Sequence, residues 1–376
     1  MTMVLAATVT VWGNAPQASA SCGNAIACEN QQTSGVQDLT DGANHLATYT
    51  SAYGDIQGFT TAESAVPGGT VSLKVESPTK YAVEVSRLGY YGGKGSRLMS
   101  WSMNTSTGTF PATYSGAAPP SCASDKTTGL VDCGNWPTTV SIQVPSTAVS
   151  GLYIVQLEQW DSTDALIGYM PVPLIVREAD NAAHHSDIVV QTSDQTWQAY
   201  NTFGGQDVYV GNGPAPDGRA YRVSYNRPLP DIGQNGVFGS EFALLYWLEQ
   251  NGYDVSYISG IDASTDPAAV ANHKVYISSG HDEYWNQGQW NNVMAARKAG
   301  QNQVFMSGNE VFWRTRLENS IDGANTPNRT MTTYKMTKLY GTNPVDGVPD
   351  PSGQWTGTWM DAHGLGSGAA PEDQLT

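Results

Sequence analysis

One seven-residue run concentrates the chemistry-bearing side chains of this chain: Ser279-Gly280-His281-Asp282-Glu283-Tyr284-Trp285. It leaves the apolar stretch Val275-Tyr276-Ile277-Ser278, which reads as a strand. Ligands of open α/β sheets bind beyond the carboxyl ends of strands, so this is where chemistry is expected. An imidazole supplies a general acid or base and a carboxylate supplies a hard metal ligand. On an extended segment His281 and Glu283, two apart, face the same way. The run also admits a structural reading, in which His281 caps the following helix and Asp282 and Glu283 favour its positive end.

A second stretch, TWQAYNTFGGQDVYVGN, also lies just beyond a strand and sets Tyr200 and Tyr209 on either side of Phe203-Gly204-Gly205. Tyrosines at such spacing are ordinarily core or surface fillers. Joined with Glu283, however, the two phenolates would offer three hard anionic oxygens, enough to neutralise a ferric ion. A bound cation would hold those phenols ionised well below their free pKa of about 10. Asn309, in SGNEVFW beyond the next strand, is either a hydrogen-bond donor to a developing oxyanion or a turn residue beside Gly308. Phe203, Tyr284 and Trp285 are candidates for an apolar wall that selects small or alkylated amides.

Nucleophilic alternatives lack their parts. No cysteine follows residue 133, so a strand-to-helix cysteine with His281-x-Glu283 as partner is excluded, and no G-x-S-x-G elbow occurs. HExxH and Walker-type loops are missing too. Any catalysis is therefore expected to be metal-assisted.

These residues need a scaffold, and the chain changes texture to provide one. From about residue 30 to 178 it runs in short alternations, such as Val71/Leu73/Val75, Tyr81/Val83/Val85, Val140/Ile142/Val144 and Leu152/Ile154/Val155. Period-two alternation broken by Gly, Pro and Ser predicts half-buried strands of a β-sandwich over 21–178. After the linker EADNAAHH, strands alternate with helices, which predicts a mostly parallel, doubly wound sheet over 185–376. SEFALLYWLEQN reads as a helix capped by Ser240, and WNQGQWNNVMAARKAG as another. The tail AAPEDQLT follows a Gly-rich stretch without a closing element, which suggests a fragment of a longer protein.

Composition bounds the partners and the compartment. With 34 acidic against 18 basic residues, the net charge of −16 repels phosphate backbones and anionic membranes. Cys22 with Cys28 and Cys122 with Cys133 form two close pairs, which favour local disulfides in an oxidising compartment over a zinc site, since no His accompanies either pair. Residues 3–12 are apolar and Ala18-Ser19-Ala20 resembles a signal-peptidase site, so residues 1–20 read as a leader, although no Lys or Arg precedes them. A buried N-terminal strand is the alternative. Asn104 and Asn328 begin sequons.

Eight blocks in order carry a family likeness: ENQQTSG, IQGFTTAESAVPGG, VSRLGYYGGKGSR, TWQAYNTFGG, SYNRP, LEQNGYDVSYISGID, SSGHDEYWNQGQW and FMSGNEVFWR. Together they resemble the family of the large (β) subunit of N,N-dimethylformamidase, from about residue 28 to about residue 340. The resemblance implies a lectin-like or immunoglobulin-like sandwich followed by a glutamine-amidotransferase-like, flavodoxin-like α/β domain. It implies hydrolysis of a small amide at a mononuclear ferric (Fe3+) centre held by two tyrosines and a glutamate, with a histidine nearby. By motif, Glu283 is the carboxylate, His281 the acid/base and Tyr200 the first phenolate. Tyr209 is the choice for the second, with Tyr221 or Tyr225 as substitutes because the local spacing is compressed relative to the amidase. Asp282 between His and Glu departs from the family pattern, as does the apparent leader. A small amide substrate and self-association into a homo-oligomer are the expected partners. The competing readings are a non-catalytic secreted module that binds glycans or a cell surface, and a metal hydrolase acting on larger substrates.

Overall fold

The computed structural model describes residues 22–39, 51–101, 103, 112–337 and 348–359. The expected leader, the Asn104 sequon and the AAPEDQLT tail lie outside the described residues. The fold is mixed α/β, with many strands and few, short helices.

Besides a two-stranded sheet of Ala123–Asp125 with Leu130–Asp132, the amino-terminal half builds two antiparallel-dominated sheets. The larger orders Val36–Asp38, Gly95–Met99, Tyr81–Leu88, Gly151–Trp160, Leu166–Val176 and Ser64–Ala65, with Ala112–Tyr114 also paired to Tyr81–Leu88. The smaller orders Val140–Gln143, Thr70–Glu76 and Gln57–Thr60. Leu73, Val75, Val140 and Ile142 of the small sheet share a core with Val83, Val85, Val155, Leu157 and Val172 of the large one. The alternation of Thr70–Glu76 appears as expected, every second residue being buried.

Gly151–Trp160 departs from the half-buried strand that its neighbours suggest. All but its last residue are buried. Tyr153, Val155 and Leu157 enter the core between the two sheets, whereas Leu152 and Ile154 enter a second core with Ile188, Val190, Leu245, Leu248, Val255 and Ile277. A strand buried on both faces needs apolar residues at both parities, which Leu152-Tyr153-Ile154-Val155 supply, while Gln156, Glu158 and Gln159 are polar residues buried along its second half. The large sheet is therefore a wall shared by both halves of the chain.

Past residue 185, four parallel strands, Ile188–Gln191, Val255–Ile258, Val275–Gly280 and Asn302–Ser307, stand in the spatial order second, first, third, fourth. Helix Phe242–Gln250 covers the face that looks toward the shared wall, and helix Gln287–Lys298 covers the other through Val293 and Ala296. A second four-stranded sheet orders Arg222–Ser224, Thr330–Thr332, Trp313–Glu318 and Tyr284–Asn286. Ser240 is not the helix cap: the chain makes a wide turn over Val237–Glu241, and the Ser240 hydroxyl donates to the Gly236 carbonyl at 2.8 Å. The helix ends at Gly252, whose φ of 72° suits a residue without a Cβ.

Both disulfides form, Cys22–Cys28 and Cys122–Cys133, as an oxidising environment favours. Among the described residues no helix is long and apolar enough to cross a membrane.

The halves are also joined by a fully buried ion pair. Arg87 donates to Glu249 through two nitrogens, at 2.8 and 3.0 Å, and Tyr257 and Asn30 donate to the same carboxylate at 3.1 and 2.7 Å. Removing one partner of a buried pair leaves the other charge uncompensated, at about 3–5 kcal/mol. Glu249→Gln is expected to lose about that much in urea unfolding, while Lys80→Ala at the exposed Lys80–Asp164 pair loses under about 1 kcal/mol. Equal effects of the two substitutions would contradict a buried junction.

Candidate metal centre

The site forms where the chain leaves two neighbouring parallel strands. After Ile188–Gln191 it enters the short helix Asp194–Ala199, and Tyr200 is the residue that ends that helix. After Val275–Gly280 it turns at Gly280, whose φ is 82°; a Cβ there would meet the Glu241 carboxylate at 2.6 Å. The His281 backbone N–H then points to Ser193 Oγ at 3.4 Å, and that of Glu283 donates to Thr196 Oγ1 at 3.1 Å. The Glu283 carbonyl accepts from Phe312 and Trp313, at 3.0 and 2.8 Å. His281 caps nothing, because helix Gln287–Lys298 starts later and takes Asn286 as its cap.

Tyr209 is carried by a longer loop. Gly204 and Gly205, at φ 89° and 91°, turn the chain, and Asp207 Oδ1 accepts the N–H groups of Tyr209 and Val210 at 2.7 and 2.8 Å. Buried Arg227, of the SYNRP block, donates to the carbonyls of Phe203, Asn201 and Gln198 at 2.8, 2.9 and 3.1 Å. One guanidinium thus holds the whole turn between the two tyrosines.

Three oxygens converge as a result. The hydroxyls of Tyr200 and Tyr209 donate to Glu283 Oε2 at 3.3 and 2.7 Å. Their rings are stacked with centroids 4.5 Å apart. His281 Nε2 lies 3.4 Å from the same carboxylate oxygen, so the two-residue spacing places both on one side as anticipated. Asn309 Nδ2 stands 3.2 Å from His281 Nε2, and the residue also holds a turn conformation, with φ 48°. Asn309 is exposed, His281 half-buried and Glu283 buried, so the cluster opens to solvent at its histidine end.

Tyr221 and Tyr225 do not join this group. Tyr221 stacks on Tyr334 at 4.3 Å, and the Tyr225 hydroxyl donates to Asp194 Oδ2 at 3.1 Å. The expected apolar wall is also corrected. Tyr284 and Trp285 are consecutive on a strand and so point to opposite faces. Tyr284 faces the cluster and donates to the Tyr209 hydroxyl at 2.7 Å, whereas Trp285 is buried in the other core with Tyr276 and Val293. Phe203 packs against Cys133 and Trp136.

Asp282, the residue that departs from the family pattern, points away into the protein. Gln191 and Ser278 both donate to its Oδ2 at 2.7 Å, and Ser278 Oγ also lies 2.8 Å from Glu310. Burial, then the charge of Glu310, pushes the Asp282 carboxyl well up, and burial pushes Glu310 up to about 7. The Ser278 hydroxyl bridges these two acids, whose like charges and burial both oppose ionisation.

Burial pushes the Tyr200 phenol up to about 12; the Tyr209 hydrogen bond opposes and the Glu283 charge adds to the shift. Burial and then Glu283 push Tyr209 up further. Both are thus neutral donors to the carboxylate near pH 7. Two phenols and a carboxylate give a donor set of three charges once deprotonated, which fits a trivalent hard cation.

Lys335 carried no signal in the sequence. Its Nζ lies 3.2 Å from the centroid of the Tyr209 ring and 5.0 Å from that of Trp313. Burial pushes the ammonium down to about 7, with Glu283 pulling the other way. Between pH 7 and the unfolded value of about 10.4, the unfolded chain binds the extra proton, so stability rises with pH. In metal-free protein, unfolding free energies from urea titrations at pH 7.5 to 9.5 should climb more steeply for wild type than for Lys335→Met, by up to about 1.4 kcal/mol per pH unit. Parallel profiles would mean that Lys335 is already ordinary in the folded state.

A family model described as N,N-dimethylformamidase beta subunit-like, C-terminal, matches residues 82–376. The chain belongs to this family, whose matched region begins inside the amino-terminal sheets and includes every residue of the cluster. A search of curated proteins returned no match. Among solved structures, domain 1 of VCBP3 from Branchiostoma floridae is 16% identical over 33% of this chain and 96% of its own, with a TM-score of 0.16. A family 123 glycoside hydrolase from Clostridium perfringens is 9% identical over 64% of this chain and 66% of its own, with a TM-score of 0.15. Superpositions this loose carry no argument about the fold.

Proposed function

We infer that this is an exported, metal-dependent hydrolase that cleaves the C–N bond of a small amide at a ferric centre held by Tyr200, Tyr209 and Glu283. The observation that carries the reading is the meeting of three hard oxygen donors on Glu283 Oε2 with an imidazole 3.4 Å away. The strand order second, first, third, fourth is that of flavodoxin-like sheets, in which ligands sit at the point where connections diverge. This supports a glutamine-amidotransferase-like domain over 185–376, preceded by a lectin-like or immunoglobulin-like sandwich over 21–178. The two disulfides support export.

A ferric ion bound there supplies Lewis acidity toward an amide carbonyl and its attacking water. The chain's own residues do the rest. His281, at the solvent side of the cluster, takes the proton from the water and returns it to the leaving amine. Asn309 positions that imidazole, because its amide offers both a donor and an acceptor and so serves Nε2 with or without its proton. Tyr284 closes the inner side of the site and orients the Tyr209 hydroxyl.

Purified protein should hold stoichiometric iron and show a phenolate-to-ferric absorption band, lost in both Tyr200→Phe and Glu283→Gln. A colourless wild type that stays iron-free after reconstitution with iron ends the ferric reading. His281→Ala should keep the band but lower amide hydrolysis by about 10²–10⁴-fold, the usual share of a general acid–base group. Unchanged turnover in that variant would remove His281 from the chemistry.

A further inference from the structure

We propose that Glu178, His185 and His273 form a second metal site, one that takes Zn2+ and clamps the junction between the two halves of the chain. Each offers one donor atom, and the three donor atoms lie within 4.8 Å of one another. Two imidazoles and a carboxylate are an established zinc donor set, with bonds of about 2.0–2.2 Å and a fourth place left for water. Small side-chain rotations bring such donors onto one ion.

The three ligands are already oriented from behind. The Ser186 N–H donates to Glu178 Oε1 at 3.0 Å, leaving Oε2 facing His185 Nδ1 at 3.1 Å. The Ser186 carbonyl accepts from His273 Nδ1 at 2.8 Å, which leaves the lone pair on Nε2. A backbone carbonyl behind a histidine is the usual way a metal ligand's tautomer is held. Both backbone groups of one residue thus brace two of the ligands. A small cleft lined by Ser256, Ala268 and Ala269 reaches the group. Arg177, on the same cleft, is matched by Asp180, Asp262 and Asp266. On binding, the cation takes the place of the proton between His185 Nδ1 and Glu178, and a neutral ring keeps that proton by carrying it on Nε2, beside the Asn272 amide.

The ligands come from three places: the exit of strand Leu166–Val176, the connection into Ile188–Gln191, and the turn before Val275–Gly280. One ion would tie the last sandwich strand to the first and third strands of the parallel sheet at their amino ends. The Tyr/Glu cluster is at their carboxyl ends: His273 precedes strand Val275–Gly280 and Glu283 follows it, and that strand alone spans roughly 20 Å at ~3.3 Å per residue. The site is thus separate from the proposed catalytic centre and stands without it.

Chelator-treated full-length protein is titrated with ZnCl2 by calorimetry, with thermal melting in parallel. One equivalent should bind and raise the melting temperature. His185→Asn and Glu178→Gln, both at partly exposed positions and checked for folding by circular dichroism, should each weaken binding by at least about tenfold. Tyr200→Phe should leave the zinc isotherm unchanged. The proposal is overturned if no stoichiometric zinc binds, if binding survives the His185 and Glu178 substitutions, or if it disappears with Tyr200→Phe.

Discussion

The strand Gly151–Trp160 has no face for water, and much of the architecture follows from that. Its odd-numbered residues Tyr153, Val155 and Leu157 fill the core between the amino-terminal sheets, while Leu152 and Ile154 are covered by helix Phe242–Gln250 and the parallel sheet. Neither half can leave without exposing apolar surface, at roughly 25 cal/mol for each Å² uncovered. The Arg87–Glu249 pair sits in the same junction with both side chains fully buried. Desolvating two charges is costly, and the hydrogen bonds that Tyr257 and Asn30 donate to Glu249 and that Arg87 donates to the Ser150 carbonyl offset part of that cost. The junction is specific as well as apolar, which keeps the parallel sheet in one orientation.

With the sheet held, its first and third strands diverge at their carboxyl ends. The chain runs into the 194–199 helix from one and into the 281–286 segment from the other. Tyr200 and Glu283 meet there because their backbones are pinned through Thr196 and Ser193. Tyr209 arrives from a loop held by Arg227 and Asp207. Behind the cluster lie the buried carboxyls of Asp282 and Glu310, in front of it the exposed Asn309. The protein therefore separates acids with different duties on alternate residues of one short extended segment: His281 and Glu283 face the site, and Asp282 faces the core.

Much of this was legible beforehand because its signals are local. Alternation in Thr70–Glu76, the strand Val255–Ile258, and the strand that starts at Val275 are readable within a few residues, since period and turn chemistry are short-range properties, although that last strand runs two residues past Ser278. The two-residue spacing of His281 and Glu283 correctly set them on one side for the same reason. Local signals misled in two places, one through a competing local turn and one through a distant neighbour. Gly236 takes the Ser240 hydroxyl and the wide turn of Val237–Glu241 displaces the expected cap, while Gly151–Trp160 looked half-buried because its second covering helix lies some ninety residues on.

Residue types and short spacings alone thus determined the elements, the disulfide partners, the charge that excludes anionic polymers, and the candidate set of Tyr, His, Glu and Asn side chains. Only the tertiary structure decided which of them meet. It selected Tyr209 over Tyr221 and Tyr225, turned Trp285 away while bringing in Tyr284 and Lys335, and set His185 of the apparent linker and His273, nearly ninety residues on, beside Glu178. The physical reason is that a loop's path is set by what anchors it. Arg227 grips carbonyls more than twenty residues earlier, and no periodicity within the loop encodes that grip.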